Sequence, residues 1–203
     1  MEKIHILTNP NELNQTKPFE IRHLLWGTKS IPRTYAYLGF IPDDGFYLRM
    51  VCEESDPLRT YTEKNSPVYQ DSAVEAFFQF EPKGSYSPVY LNFEANANGA
   101  LLAGYGAART YRSYFTEAEY REFDCKAEIS DDRWAVNLRI PLHILEHIYG
   151  SLSLKEGDTF SINLYKISET AEIEHYASFS PILTSTPTFH VPEFFATAVL
   201  TRA

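Results

Sequence analysis

Three stretches of this 203-residue chain set hydrogen-bonding side chains at every second position, the spacing that gathers them on one face of a β-strand. In Val89–Glu94, the polar positions Tyr90, Asn92 and Glu94 alternate with Val89, Leu91 and Phe93, and Asn96 follows. In 73–80, Glu75, Phe77 and Gln79 oppose Val74, Ala76, Phe78 and Phe80, and in 159–167 the corresponding positions are Ser161, Asn163 and Tyr165. Amides donate and accept, carboxylates accept, and aromatic rings stack on apolar C–H faces, so neighbouring strands of this kind would form a surface suited to sugar hydroxyls. Taken singly, each residue is also what the solvated face of an antiparallel sheet carries. The grouping across strands is what points to a site. Arg109 and Arg112, in the loop after Gly104-Tyr105-Gly106, add fixed forks of N–H donors.

Two rival chemistries use the same residue types. Glu75 and Glu94 on adjacent strands would equip a glycoside hydrolase with an acid and a nucleophile or base. His143-Ile144-Leu145-Glu146-His147 spells H-x-x-E-H, which on a helix brings two imidazoles and a carboxylate together as in a zinc metallopeptidase of the inverse type. That motif has no evident third ligand in the sequence.

The elements that must hold these residues read as β-structure. Trp134, Val136, Leu138 and Ile140 alternate with Arg133, Ala135, Asn137 and Arg139, and Phe46, Leu48, Met50 and Cys52 alternate in the same way. Further strands are expected near 4–7, 35–41, 88–95, 99–105, 122–129, 159–168, 175–181 and 194–201, and one short helix from Pro141 to Tyr149, with Pro at its start and Gly150 at its stop. Residues 107–121 fit either a turn of helix or a surface loop. The expected architecture is all-β: one domain over 1–203, a jelly-roll-like sandwich of two antiparallel sheets with one short helix.

Composition supports a globular domain, with 44% hydrophobic and 22% charged residues and an aromatic excess of 14 Tyr and 14 Phe that favours strands. A net charge of −9 without a Lys/Arg cluster argues against nucleic acid and anionic membranes as partners. No apolar run is long enough to span a bilayer, and the opening MEKIHILTNP has no signal-peptide character. The expected location is cytoplasmic, or extracytoplasmic if a leader has been removed. Cys52 and Cys125 form no CxxC pair and read as reduced thiols.

Tyr69-Gln70-Asp71-Ser72-Ala73-Val74-Glu75-Ala76-Phe77-Phe78, Tyr90-Leu91-Asn92-Phe93-Glu94 and Phe189-His190-Val191-Pro192-Glu193-Phe194-Phe195 together resemble the family 9 carbohydrate-binding modules, a DOMON-like sandwich. Trp134 with Ile140-Pro141 is similar to that family's strand running into a short helix, and Asn163 to a late strand position. The resemblance implies non-catalytic binding of a mono- or oligosaccharide. Tyr69 and Phe189 would stack on the sugar, at positions where the family carries tryptophans. Glu75, Asn92, Glu94, Arg109 and Asn163 would bond its hydroxyls, and Glu193 would close the rim. It also implies a possible structural Ca²⁺, for which Asp43, Asp44, Asp131 and Asp132 offer oxygen donors, although Asp pairs are equally turn formers. Related sandwiches bind haem through an axial Met, but Met50 lies in an alternating apolar strand and is expected in the core. No cofactor is assigned.

Overall fold

In the computed structural model, which describes residues 1–82 and 86–202, the alternating apolar positions become a single buried layer. The strands are β1 (Glu2–Ile6), β2 (Phe19–Ile21), β3 (His23–Leu24), β4 (Thr34–Ile41), β5 (Gly45–Cys52), β6 (Ala73–Gln79) and β7 (Tyr90–Asn96). They continue with β8 (Leu101–Gly106), β9 (Ser113–Tyr114), β10 (Lys126–Ile129), β11 (Trp134–Pro141), β12 (Thr159–Ser168), β13 (His175–Ser178) and β14 (Ala196–Thr201). All are hydrogen-bonded into one curled sheet in the order β10-β11-β5-β4-β1-β14-β12-β6-β7-β8-β9, with β2 on β4, β13 on β12 and β3 on β13.

The sheet bends back on itself so that β11, β5 and β4 face β12, β6, β7 and β8. Phe46 of β5 shows this directly, with its ring centroid 6.2, 5.5 and 5.1 Å from those of Phe78, Phe80 and Phe160 on the other side. Trp134, Val136, Leu138 and Ile140 join the same core, as does Met50, which is 2% exposed among apolar neighbours.

The sandwich is mixed, which corrects the expected antiparallel arrangement. β1 lies between β4 and β14 and runs parallel to both, while the remaining pairs are antiparallel. Side-chain alternation has the same period in either direction, so it identifies faces and not strand sense.

Helix content also exceeds the expected single helix. α1 (Glu117–Glu122) lies in the segment that read as helix or loop, and a capping box starts it: Glu119 N–H donates to Thr116 Oγ1, and the Glu119 carboxylate accepts from Thr116 N–H. α2 (Leu142–Tyr149) is the expected one, opened by Pro141 and stopped by Gly150 at φ 78°. Among the described residues four short 3-10 helices accompany them, including Val68–Gln70 and Pro192–Phe194 beside the site. Strands near 122–129 and 194–201 are correspondingly shorter, beginning at Lys126 and Ala196. Among the described residues no helix is long and apolar enough to cross a membrane. Both cysteines are free.

Phe46 is where the two halves of the sheet interlock, and truncating it leaves a void bounded by four other rings. Phe46→Ala should cost about 3–5 kcal/mol in a urea unfolding titration, well above the change from any exposed aromatic such as Tyr111.

Candidate functional site

β6 is flanked by β12 and β7, so the three polar-bearing strands are neighbours. The register sets Glu75 between Tyr165 and Glu94, and Phe77 between Asn163 and Asn92. These residues point away from the main core, onto a face that a second apolar cluster covers in part. In that cluster Phe77, Tyr90 and Tyr165 of the sheet are covered by Ile182, Phe189 and Val191 of the connection from β13 to β14. Where the cover stops, over Glu75, Asn92 and Glu94, an open cleft of about 180 Å³ remains.

Glu75 and Glu94 form the floor, 3% and 4% exposed and directly opposite each other across β6 and β7. Glu94 accepts a hydrogen bond from Asn92 Nδ2 at 3.1 Å. Among the described residues, the Glu75 carboxylate has no hydrogen-bond partner. Burial first, then the repulsion from Glu94 and Glu169, drives the Glu75 carboxyl well above the ordinary carboxylate range. Burial likewise pushes Glu94 up, to about 7, against the opposing pull of the Asn92 amide and Arg112.

The loop arginines divide. Arg109 is exposed at the cleft edge with its guanidinium available. Arg112 is half-buried and occupied: its guanidinium donates to the carbonyls of Tyr90 and Gly106 at 3.0 Å and of Ala108 at 3.2 Å, and to Asn92 Oδ1. It also lies 4.3 Å over the Tyr90 ring. Arg112 therefore fixes Asn92 and the loop. Gly104 permits this packing, since a Cβ there would lie 2.9 Å from Ser113 O.

Tyr69, half-buried in the middle of the 3-10 turn Val68–Gln70, stands on one wall. Phe189 also lines the cleft but is 5% exposed and stacked on Tyr165, with centroids 4.0 Å apart and planes at 8°. It belongs to the second core as much as to the wall, so its removal would cost stability. Asn163 lies outside the cleft. Phe77 separates it from Asn92, and its amide is spent locally: Oδ1 accepts from Leu164 N–H at 2.9 Å and Ser180 N–H at 2.8 Å, and Nδ2 donates to Ser180 O at 3.1 Å. Glu193 is exposed in the Pro192–Phe194 turn and does not line the cleft.

Trp26, Glu169, Tyr176 and His190 are among the cleft residues that escaped the sequence reading. Trp26 adopts φ 48°, a left-handed backbone that a bulky residue rarely accepts, and Gly27 follows at φ 86°. Its Nε1 donates to Thr184 O at 2.9 Å, tying the β3 loop to the cover, and its ring meets Phe189 at 5.6 Å and Tyr176 at 5.4 Å. Only the Trp-Gly pair could have hinted at such a turn. His190 Nδ1 lies 2.8 Å from Tyr90 Oη, and burial followed by Arg112 and Arg109 depresses its pKa to about 3, so the ring is neutral at ordinary pH.

The rival motifs are not assembled. His143 is exposed and faces Glu122 at 3.3 Å, Glu146 accepts from Leu152 N–H at 3.4 Å, and among the described residues no three His, Cys, Asp or Glu side chains converge as a metal site. Asp44 is engaged by Tyr47 and Arg139, and Asp132 by Ser130 and Arg133.

The carboxyl pair has a consequence for stability. Both groups have folded pKa values above the unfolded ones, so the stability they leave intact at low pH is lost as pH rises through their folded values. Glu75→Gln, which mimics the protonated form, should raise Tm at about pH 8 by roughly 2–4 °C, or about 1 kcal/mol for a domain of this size, and leave it nearly unchanged at about pH 5. Differential scanning calorimetry at the two pH values measures this.

The comparisons with known proteins agree with the geometry. No curated protein matches the chain in sequence. Among solved structures, a protein from Bacteroides uniformis, provisionally described as carbohydrate-binding, superposes with a TM-score of 0.79 at 22% identity, covering 98% of this chain and 99% of that one. A family 9 carbohydrate-binding module from Caldicellulosiruptor kristjanssonii, in complex with cellotriose, gives 0.66 at 14% identity over 100% of this chain and 95% of its own. The same kind of module from that organism, in complex with glucose, gives 0.67 at 15% identity over 100% and 97%. The sequence profile of carbohydrate-binding family 9 matches residues 10–200, and the chain belongs to that family.

Proposed function

We propose that this protein is a non-catalytic binder of a mono- or oligosaccharide and that the cleft over Glu75 and Glu94 holds the sugar. The observation that carries this reading is the pairing, in one open cleft, of aromatic walls with a floor where the buried Glu75 carboxylate is unpaired among the described residues and Glu94 accepts a single hydrogen bond. Trp26, Tyr69 and Tyr176 supply ring faces for C–H stacking, while Glu75, Asn92, Glu94 and Arg109 supply acceptors and donors for hydroxyls. The family and the sugar-bound modules of the same fold support it.

The carboxyl pair fits binding better than bond cleavage. A hydrolase needs its two carboxyls on opposite sides of the scissile bond. Glu75 and Glu94 are cross-strand neighbours on one sheet face, so they approach a ligand from the same side.

A glycan array followed by titration on intrinsic fluorescence tests the reading. At least one saccharide should bind and perturb Trp26 emission, and Trp26→Ala and Tyr69→Ala should each weaken that binding about tenfold, the worth of one aromatic contact of roughly 1–1.5 kcal/mol. No binding across neutral and amino sugars alike would refute it. Asn163→Ala should do the converse, destabilising the fold by about 1–3 kcal/mol through the unpaired Ser180 and Leu164 groups while changing affinity little.

A further inference from the structure

The cleft gathers more carboxyl groups than a neutral ligand would require. Glu75 is 3% exposed, faces the cleft and has no hydrogen-bond partner among the described residues, and Glu94 stands directly across the strand pair. Cβ atoms in such a pair are about 4.5–5.5 Å apart. Glu169 brings a third carboxylate to the same cleft.

The cations nearby do not close this imbalance. Arg112 is committed to four backbone carbonyls and the Asn92 amide oxygen, and its charge offsets the burial of Glu94 only in part. Arg109 sits exposed at the edge, where its charge is screened. His190 is held neutral beside Tyr90. Around this floor stand the rings of Trp26, Tyr69 and Tyr176, whose electron-rich faces attract cations.

A sugar hydroxyl placed on the floor would donate one hydrogen bond and bring no charge, so the pair would have to keep its proton to avoid two like charges side by side. A protonated amine donates three and supplies the positive charge that is lacking. We propose that the cleft is specific for a saccharide unit bearing a protonated amine in place of a hydroxyl, with Glu75 and Glu94 together forming the ammonium subsite. The proposal rests on the saccharide reading above and names the class of sugar it would take.

Selectivity follows from the charge and not from ring shape alone. N-acetylation removes the charge while keeping the nitrogen, so the acetylated sugar should fall with the neutral parent. Because the floor carries a proton when empty, taking up an ammonium group should expel it, and binding should release protons near neutral pH.

The test is isothermal calorimetry on the whole protein at about pH 6.5, with glucosamine, glucose and N-acetylglucosamine, and the matching galactose series, in two buffers of different ionisation enthalpy. In at least one series the amino sugar should bind about tenfold or more tighter than both uncharged relatives, with net proton release. Glu75→Gln should bring the amino-to-neutral ratio to within about twofold of one and abolish the proton release. Glu94→Gln provides the same comparison if that variant folds poorly. A neutral or N-acetylated sugar binding as tightly as its amino counterpart, or an unchanged ratio in both variants, overturns the proposal and leaves saccharide binding intact. Failure of every sugar to bind refutes the saccharide reading first and this one with it.

Discussion

The structure depends on β6, β7 and β12 having to bury both of their faces. Their inner residues, from Val74 and Phe78 to Leu91, Phe93, Ile162 and Leu164, pack against the opposite half of the sheet. Their outer residues are too apolar at Phe77, Tyr90 and Tyr165 to be left in water, and the β13–β14 connection folds over them with Ile182, Phe189 and Val191. Phe77 is the centre of this second layer, in contact with Tyr90, Tyr165, His190 and Phe195 at 5.0–6.2 Å. The cover ends one register row further along, at Tyr165-Glu75-Glu94-Leu102. A cleft there is what remains when a two-sided sheet is covered over only part of its length.

That edge explains the uneven fates of polar residues on one face. Asn163 and Asn92 share a register row on either side of Phe77, yet the cover seals one side and Arg112 braces the other. Asn163 becomes a clamp on Ser180, and Asn92 becomes a cleft residue. Arg112 does for the loop what a salt bridge would do elsewhere, satisfying carbonyls that the turn after β8 cannot pair. Its charge eases the burial of Glu94 as well. The floor is still electrostatically unfavourable when empty, the common condition of a site whose missing partner is a ligand.

Much of this was legible in the residues. Alternation assigned the faces of β5, β6, β7, β11 and β12 correctly and brought Glu75, Asn92 and Glu94 together, because a period of two is a statement about sidedness. It carried no information about direction, so the parallel insertion of β1 was invisible, as it depends on a long-range meeting of the chain's first and last strands. Trp26 and His190 were invisible for a different reason. They lie in irregular connections with no period, and only the folding of the β13–β14 segment over Phe77 brings them to the cleft. Phe189 shows the limit of residue type as a guide, since the same ring serves wall and core.

The other buried charge in the molecule indicates why partnership, more than burial, separates structure from function here. Lys166 is fully buried, and its ammonium group is matched by Ser72 Oγ at 2.7 Å, His175 Nε2 at 2.8 Å and Ile167 O at 3.4 Å. Ser72 passes the interaction on to Glu54 at 2.6 Å, which also accepts from Trp134 Nε1 at 2.9 Å. Burial alone would raise the Glu54 pKa, but Lys166, Ser72 and Trp134 outweigh it and hold the group below the ordinary range. This chain of contacts stitches β12 to the β5 and β11 side of the sandwich, and every member is answered by protein. Glu75, as deeply buried and paired by register with Tyr165, the residue just before Lys166, accepts no hydrogen bond from the protein among the described residues. The fold satisfies one buried charge with its own groups and leaves the other open to the cleft, which is the position the proposed saccharide site requires.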